Sequence, residues 1–151
     1  MSNFTAAQAK ALFISIQSYA EQLGIFEGVN LHDPWNAPGN RLFCSITLGN
    51  VRPVAPASGL AEVSGQVTLQ IRIWSSAIQK PLDNIDPEIL AATCALMGQL
   101  AGGFTLSGTV RDVDLFGLNA QPAYVDFEGK PLRVIEITCP IVVNDMFAEV
   151  A

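Results

Sequence analysis

AEVSGQVTLQIRIW, residues 61–74, alternates without a break: Val63, Gly65, Val67, Leu69, Ile71 and Ile73 fall on one side. Glu62, Ser64, Gln66, Thr68, Gln70 and Arg72 fall on the other. A two-residue period held this long matches the pleat of a strand and not the 3.6-residue turn of a helix. It predicts a long strand with one apolar face, kinked at Gly65 where there is no side chain to pack. Parity puts Trp74 on the polar side.

Working back toward the N-terminus, residues 42–48 repeat the pattern. Leu42, Cys44, Ile46 and Leu48 oppose Phe43, Ser45 and Thr47, which predicts a second strand with one buried face. The segments on either side of it, HDPWNAPGN (32–40) and GNVRPVAPASG (49–59), are rich in Pro, Gly and Asn and read as loops. IFEGVNL (25–31) reads as a short strand. Before it, Leu12, Phe13, Ile16, Tyr19, Ala20 and Leu23 recur at spacings of three and four, with Gln8, Gln17, Ser18 and Gln22 opposite. That predicts a helix packed on one face, opened by Thr5 as N-cap and closed at Gly24.

Toward the C-terminus, PLDNIDPEILAATCALMGQLAGG predicts a second helix. Asp86 is its expected N-cap and Pro87 its first helical residue, with Leu90, Cys94, Met97 and Ala101 facing inward and Gly102–Gly103 ending it. Three further strands are expected at 109–116, 123–128 and 132–143, the last two joined by a tight turn at Glu128–Gly129–Lys130–Pro131. In the final strand Arg133, Ile135, Ile137, Cys139, Ile141 and Val143 oppose Glu136, Thr138 and Pro140. The proline argues for an edge or a bulge there. The order α-β-β-β-α-β-β-β gives an α+β fold: one domain over residues 1–151, mostly antiparallel sheet, with two helices packed on it.

Composition narrows the function. Of 151 residues, 50% are hydrophobic and only 15% charged, below the usual quarter, so part of the surface is expected to be covered. The eight basic residues are scattered singly and the net charge is −6. Without a basic stripe, neither direct duplex binding nor polybasic membrane attachment is expected. The N-terminal segment lacks the basic-then-apolar layout of a signal peptide and no apolar run is long enough to span a bilayer, so a product made and assembled in the cytoplasm is expected. Cys44, Cys94 and Cys139 are odd in number and widely spaced, which reads as free, buried and reduced.

Catalytic signatures are missing. His32 is the one histidine, so two-histidine metal motifs cannot form; no C-x-x-C, P-loop, G-x-G-x-x-G or G-x-S-x-G occurs. Gly102–Gly103 follows a helix and reads as a cap, not a phosphate cradle. His32–Asp33 is either an acid–base pair or, the preferred reading, a turn opened by Asp33 before Pro34. Arg111, Asp112 and Asp114 form an acidic strand segment. A D-x-D pair can hold a divalent cation; a solvated or interfacial strand face is the preferred reading. No enzyme, metal or cofactor is expected.

Six stretches carry a resemblance: GIFEGVNLHDPWNAPGN, VRPVAPASGL, the alternating strand ending QIRIW, PLDNIDPEIL, VRDVDLFG and ITCPIVVNDMF. In this order, from about Phe13 to Phe147, they resemble the tail terminator, or tail completion, proteins of long-tailed actinobacteriophages. The resemblance implies a structural virion protein, not an enzyme, without cofactor. It implies a ring of this chain, usually six copies, at the head-proximal end of the tail. The ring would contact the tail tube protein on one side and the head–tail connector protein on the other, with DNA only passing through its bore. A head–tail connector or tail tube subunit is a neighbouring alternative, and a small enzyme or ligand-binding module using His32 and Asp33 is a more distant one.

A closed ring needs two different complementary patches on each subunit. The residues expected to form them lie in the two Pro/Gly-rich loops, at the end of the long strand, in the acidic strand and at the chain end: Trp35, Asn36, Pro38, Arg52, Pro53, Trp74, Asp112, Asp114, Asp145 and Phe147. Trp74 has local packing as its competing reading. An acidic bore would repel DNA and ease its passage.

Overall fold

The computed structural model describes residues 4–34, 41–53, 62–76, 81–103 and 112–148. Helix α1 (Ala6–Gln22) begins as expected: Thr5 accepts from the Gln8 amide while the Gln8 side chain accepts from the Thr5 amide, a capping box. It ends before Gly24, whose φ of +67° favours glycine. Leu12, Ile16 and Ala20 form its buried stripe. Gln17, expected on the exposed side, reaches across to donate to the Val29 carbonyl at 2.8 Å.

Strands β1 (Phe26–Asn30), β2 (Leu42–Pro53) and β3 (Glu62–Ser76) follow, then α2 (Leu82–Gly102), β4 (Asp112–Val113), β5 (Asn119–Phe127) and β6 (Lys130–Ala148). The sheet order is β1-β2-β3-β6-β4, with β5 also on β6. Every pairing is antiparallel except β1 with β2, which is parallel. Both helices lie on one face, over a core that joins Leu12, Ile16, Ile89, Leu96 and Leu100 to Cys44, Ile46, Leu69, Ile71, Ile73, Ile137 and Cys139. The architecture is the expected α+β one.

Several boundaries move. β2 runs on to Pro53, through half of the expected loop at 49–59, with a register shift between Leu48 and Val51. Leu48, expected on the buried face, pairs with the buried Leu69 but is itself 56% exposed. Gly49 is needed there because a Cβ would come within 2.8 Å of the Thr68 carbonyl. α2 starts at Leu82, not at Asp86–Pro87, so Pro87 sits inside the helix. Ile85 adds an apolar turn before Ile89 and anchors that extension in the core. The buried stripe is Ile85, Ile89, Ala92, Thr93, Leu96 and Leu100, rotated by one position from the expected Leu90, Cys94, Met97 and Ala101. Both sets have helical spacing because the segment is apolar all round, and packing chose between them. Cys94 is consequently exposed, while Cys44 and Cys139 are buried.

On its outer side the long β6 pairs with two different strands of the same sheet. Lys130 to Thr138 pair with β5, and Ile141 and Val142 pair with β4. Pro140 lies between these pairings. It is neither on an edge strand nor at a register shift: β3 pairs with it through Thr68, and its carbonyl accepts from the Asp114 amide. Its missing N–H therefore points at the gap between β4 and β5, where no ladder bond is lost. The β5–β6 hairpin closes through Glu128 (φ +52°) and Gly129 (φ +80°), two consecutive left-handed residues as a two-residue hairpin turn requires. Residues 109–111 of the expected strand at 109–116 lie outside the described residues.

Candidate interaction surfaces

The face of the sheet away from the helices carries a polar network. Arg72 donates to Glu136 (2.8 Å) and to Asp33 (2.9 Å), and Asp33 also accepts from the Ser45 hydroxyl. Ser45 in turn accepts from the Trp74 indole at 3.0 Å. Burial lowers the Arg72 pKa, but the hydrogen bonds and charges of Glu136 and Asp33 outweigh it and the net shift is upward. Arg52 donates to Gln66 at 2.6 Å, lining a polar cleft of about 270 Å³ with Thr68, Gln70 and Thr138.

This network disposes of the acid–base arrangement at His32. The His32 Nδ1 lies 2.9 Å from the Asp33 backbone carbonyl, while the Asp33 carboxylate is held by Arg72 and Ser45. The two side chains do not form a pair. Asp114 likewise acts in a turn, its carboxylate accepting from the Phe116 and Gly117 amides. No group of three His, Cys, Asp or Glu able to hold a metal ion occurs among the described residues. No described helix is long and apolar enough to cross a membrane.

The expected contact residues scatter. Trp35, Asn36 and Pro38 lie outside the described residues, as does most of the loop at 49–59. Asp112 and Asp145 fall in β4 and β6. Arg52 and Pro53 are exposed at the end of β2. Trp74 is packed locally, 6% exposed, in a small cluster with Leu132 and Val134 against Phe43, Val125 and Phe127. Phe147 packs against the main core, and the side chains of Met146 and Phe147 fill the space that a Cβ at Gly65 would need.

Exposed apolar side chains mark surfaces that these expectations missed. Phe116 is wholly exposed and Leu115 is 42% exposed, in the turn between β4 and β5. Gly117 closes that turn where a Cβ would sit 2.8 Å from Pro140 and 2.9 Å from Asp114. A second surface is a groove of about 480 Å³ between α2 and the β5–β6 hairpin, with Pro87, Ile89, Leu90, Pro122 and Ile135 along it. Leu90 is 60% exposed there, although an inward position was expected for it. At its rim Arg133 pairs with Asp86 at 2.9 Å and lies 4.2 Å over the exposed Tyr124 ring. The hydrogen bond that Arg133 donates to the Asp86 carboxylate raises the Arg133 pKa. Asp-Leu-Phe-Gly (114–117) is a turn signature that the sequence offered. The groove brings α2 residues against Pro122 and Ile135 of the hairpin, which follow them in the chain by about 30 positions or more, and had no local signal.

No family model matches the sequence, and no curated protein matches it. Among solved structures the chain is similar over its whole length to a sheath/tube terminator from an extracellular contractile injection system, PVC, in its extended state. Identity is 14%, the TM-score 0.46, and the chain spans 62% of that protein. A likeness at this level carries no argument about function, which rests on the chain's own residues and surfaces.

Proposed function

We propose that this chain is a non-catalytic structural subunit of a phage-tail-like particle that assembles with copies of itself into a ring. More finely, it is a tail terminator. Its ring, of six copies, caps the tail tube at the head-proximal end and joins it to the connector. The observation that carries the assembly reading is the distribution of exposed apolar groups. Phe116, Leu82, Leu90 and Tyr124 stand 60% or more out of a surface otherwise short of charge. Several large apolar side chains left this far in solvent favour protein contacts as what covers them. His32, Asp33 and Asp114, the groups that catalysis would have used, are engaged in turns or ion pairs. The terminator identity rests on the six ordered stretches from Phe13 to Phe147 that resemble that family.

Light scattering behind size-exclusion chromatography, over a concentration series with and without magnesium, tests this reading. A discrete oligomer near six subunits is the expected result. An open-ended series of growing species would point to a tail tube subunit instead. A strict monomer would leave assembly templated by the tube, and failure to bind purified tail tubes would then sink the terminator reading.

A further inference from the structure

We propose that Pro122 guards the outer edge of the sheet: by removing one N–H from the middle of β5, it keeps that strand from pairing with a strand of a second copy. The inference goes beyond the assembly reading and holds whichever oligomer the parent chain forms. Among the described residues β5 is the longest free edge. It runs nine residues, pairs with β6 along its whole length without a register shift, and has no described strand on its other side. Gln121, Pro122, Ala123 and Tyr124 are exposed in a row, so both faces of the strand are open to solvent there. Asp126 is its one charged residue. A regular, exposed edge of this kind is a template for another strand. The other edges are short or irregular. β1 is five residues with a register shift between Phe26 and Gly28, the free end of β2 has one between Leu48 and Val51, and β4 is two residues.

The hairpin fixes which way each backbone group of β5 points. Glu128 and Gly129 form its two-residue turn, so the flanking Phe127 and Lys130 are a hydrogen-bonded pair. Antiparallel pairs alternate in kind. Val125–Leu132, Ala123–Val134 and Gln121–Glu136 therefore bond to each other, while Ala120, Pro122, Tyr124 and Asp126 turn their backbone groups outward. By the same count Pro131, opposite Asp126, also falls at a non-bonded pair, where a proline is tolerated. Pro122 thus costs the β5–β6 ladder nothing. What it removes is a donor in the middle of the outward row, and its ring stands where an incoming strand would approach.

Pro122→Thr restores the N–H with a residue that suits a strand and adds no large apolar group. In light scattering over a concentration series, its weight-average mass should rise to about double that of the parent chain or more, since edge pairing joins whole assemblies. Hydrogen exchange should show the amides of Ala120, Tyr124 and Asp126 becoming protected in the larger species. Pro122→Thr combined with Tyr124→Pro moves the missing N–H along the same outward row and should return the mass to the parent's. Ala123→Thr, which keeps Pro122, should leave the mass unchanged. Three results overturn the proposal. One is a Pro122→Thr chain whose mass follows the parent's at every concentration. Another is larger species in which those amides exchange as freely as in the parent, which puts the new contact elsewhere. The third is a double variant that still forms the larger species, because the missing N–H is then not what prevents them.

Discussion

On one face of β3, Leu69, Ile71 and Ile73 lie under the helices with no exposed surface; on the other, Gln66, Thr68 and Trp74 are 7%, 8% and 6% exposed. At these positions the two faces are buried to nearly the same degree, by different chemistry, while Gln70 and Arg72 on the second remain partly exposed. The first is close-packed hydrocarbon. The second is held by side-chain hydrogen bonds, from Arg52 to Gln66 and from Trp74 to Ser45, and by the ion pairs of Arg72. Alternation reports the polarity of a face and not its burial. The apolar face should accordingly dominate stability, and the polar face should fix which neighbours β3 lies between.

The largest expected effect is on the apolar face. Ile71→Ala should cost about 2–5 kcal/mol in urea unfolding, since the side chain is fully enclosed and its loss leaves a cavity. A loss under about 1 kcal/mol would mean that the helices are loosely seated. The same face makes a pH prediction through Cys44 and Cys139, whose thiols burial pushes up to about 12. An unfolded thiol releases its proton near pH 9, so from there to about 12 the unfolded chain binds fewer protons than the folded one. Stability should then fall by about 1.4 kcal/mol per pH unit for each thiol, and should be unaffected by them below pH 9. In native protein at pH 8, alkylation should label Cys94 alone.

Smaller effects are expected on the polar face. Trp74→Phe keeps most of the ring but removes the donor to buried Ser45, which should cost about 1–3 kcal/mol. Arg72→Met should cost about 1 kcal/mol or less, because its partners Asp33 and Glu136 are 48% and 41% exposed and partly screened. That difference should shrink further in high salt. If Arg72→Met instead cost as much as Ile71→Ala, the division of labour between the faces would be wrong.

Legibility followed how local each cause was. The Thr5 N-cap, the Gly24 stop, the alternation of β3 and the Glu128–Gly129 turn are written in adjacent residues, and each appears as read. Where a segment satisfies two patterns at once, neighbours decided. The uniformly apolar α2 could present either of two stripes, and contact with β3 and β6 selected the one containing Ile89 and Leu96. The turn carrying Phe116 replaces the end of the strand expected at 109–116, although Asp114 and Gly117 are turn residues; the groove had no signal, because Ile89 and Leu90 of α2 meet Pro122 and Ile135 of the hairpin only after folding.

The sequence by itself determined the element types and their order, the apolar face of the sheet and the lack of the residue sets that known catalytic motifs require. These follow from backbone periodicity, capping chemistry and residue inventory, all of which act over a few positions. Tertiary structure alone decided the rotation of α2, the parallel β1–β2 pairing, the exposure of Cys94, the place of Pro140 between two partner strands and the juxtaposition that makes the groove. Each of those depends on which distant surfaces exclude water together, a property of the packed chain that no local pattern encodes.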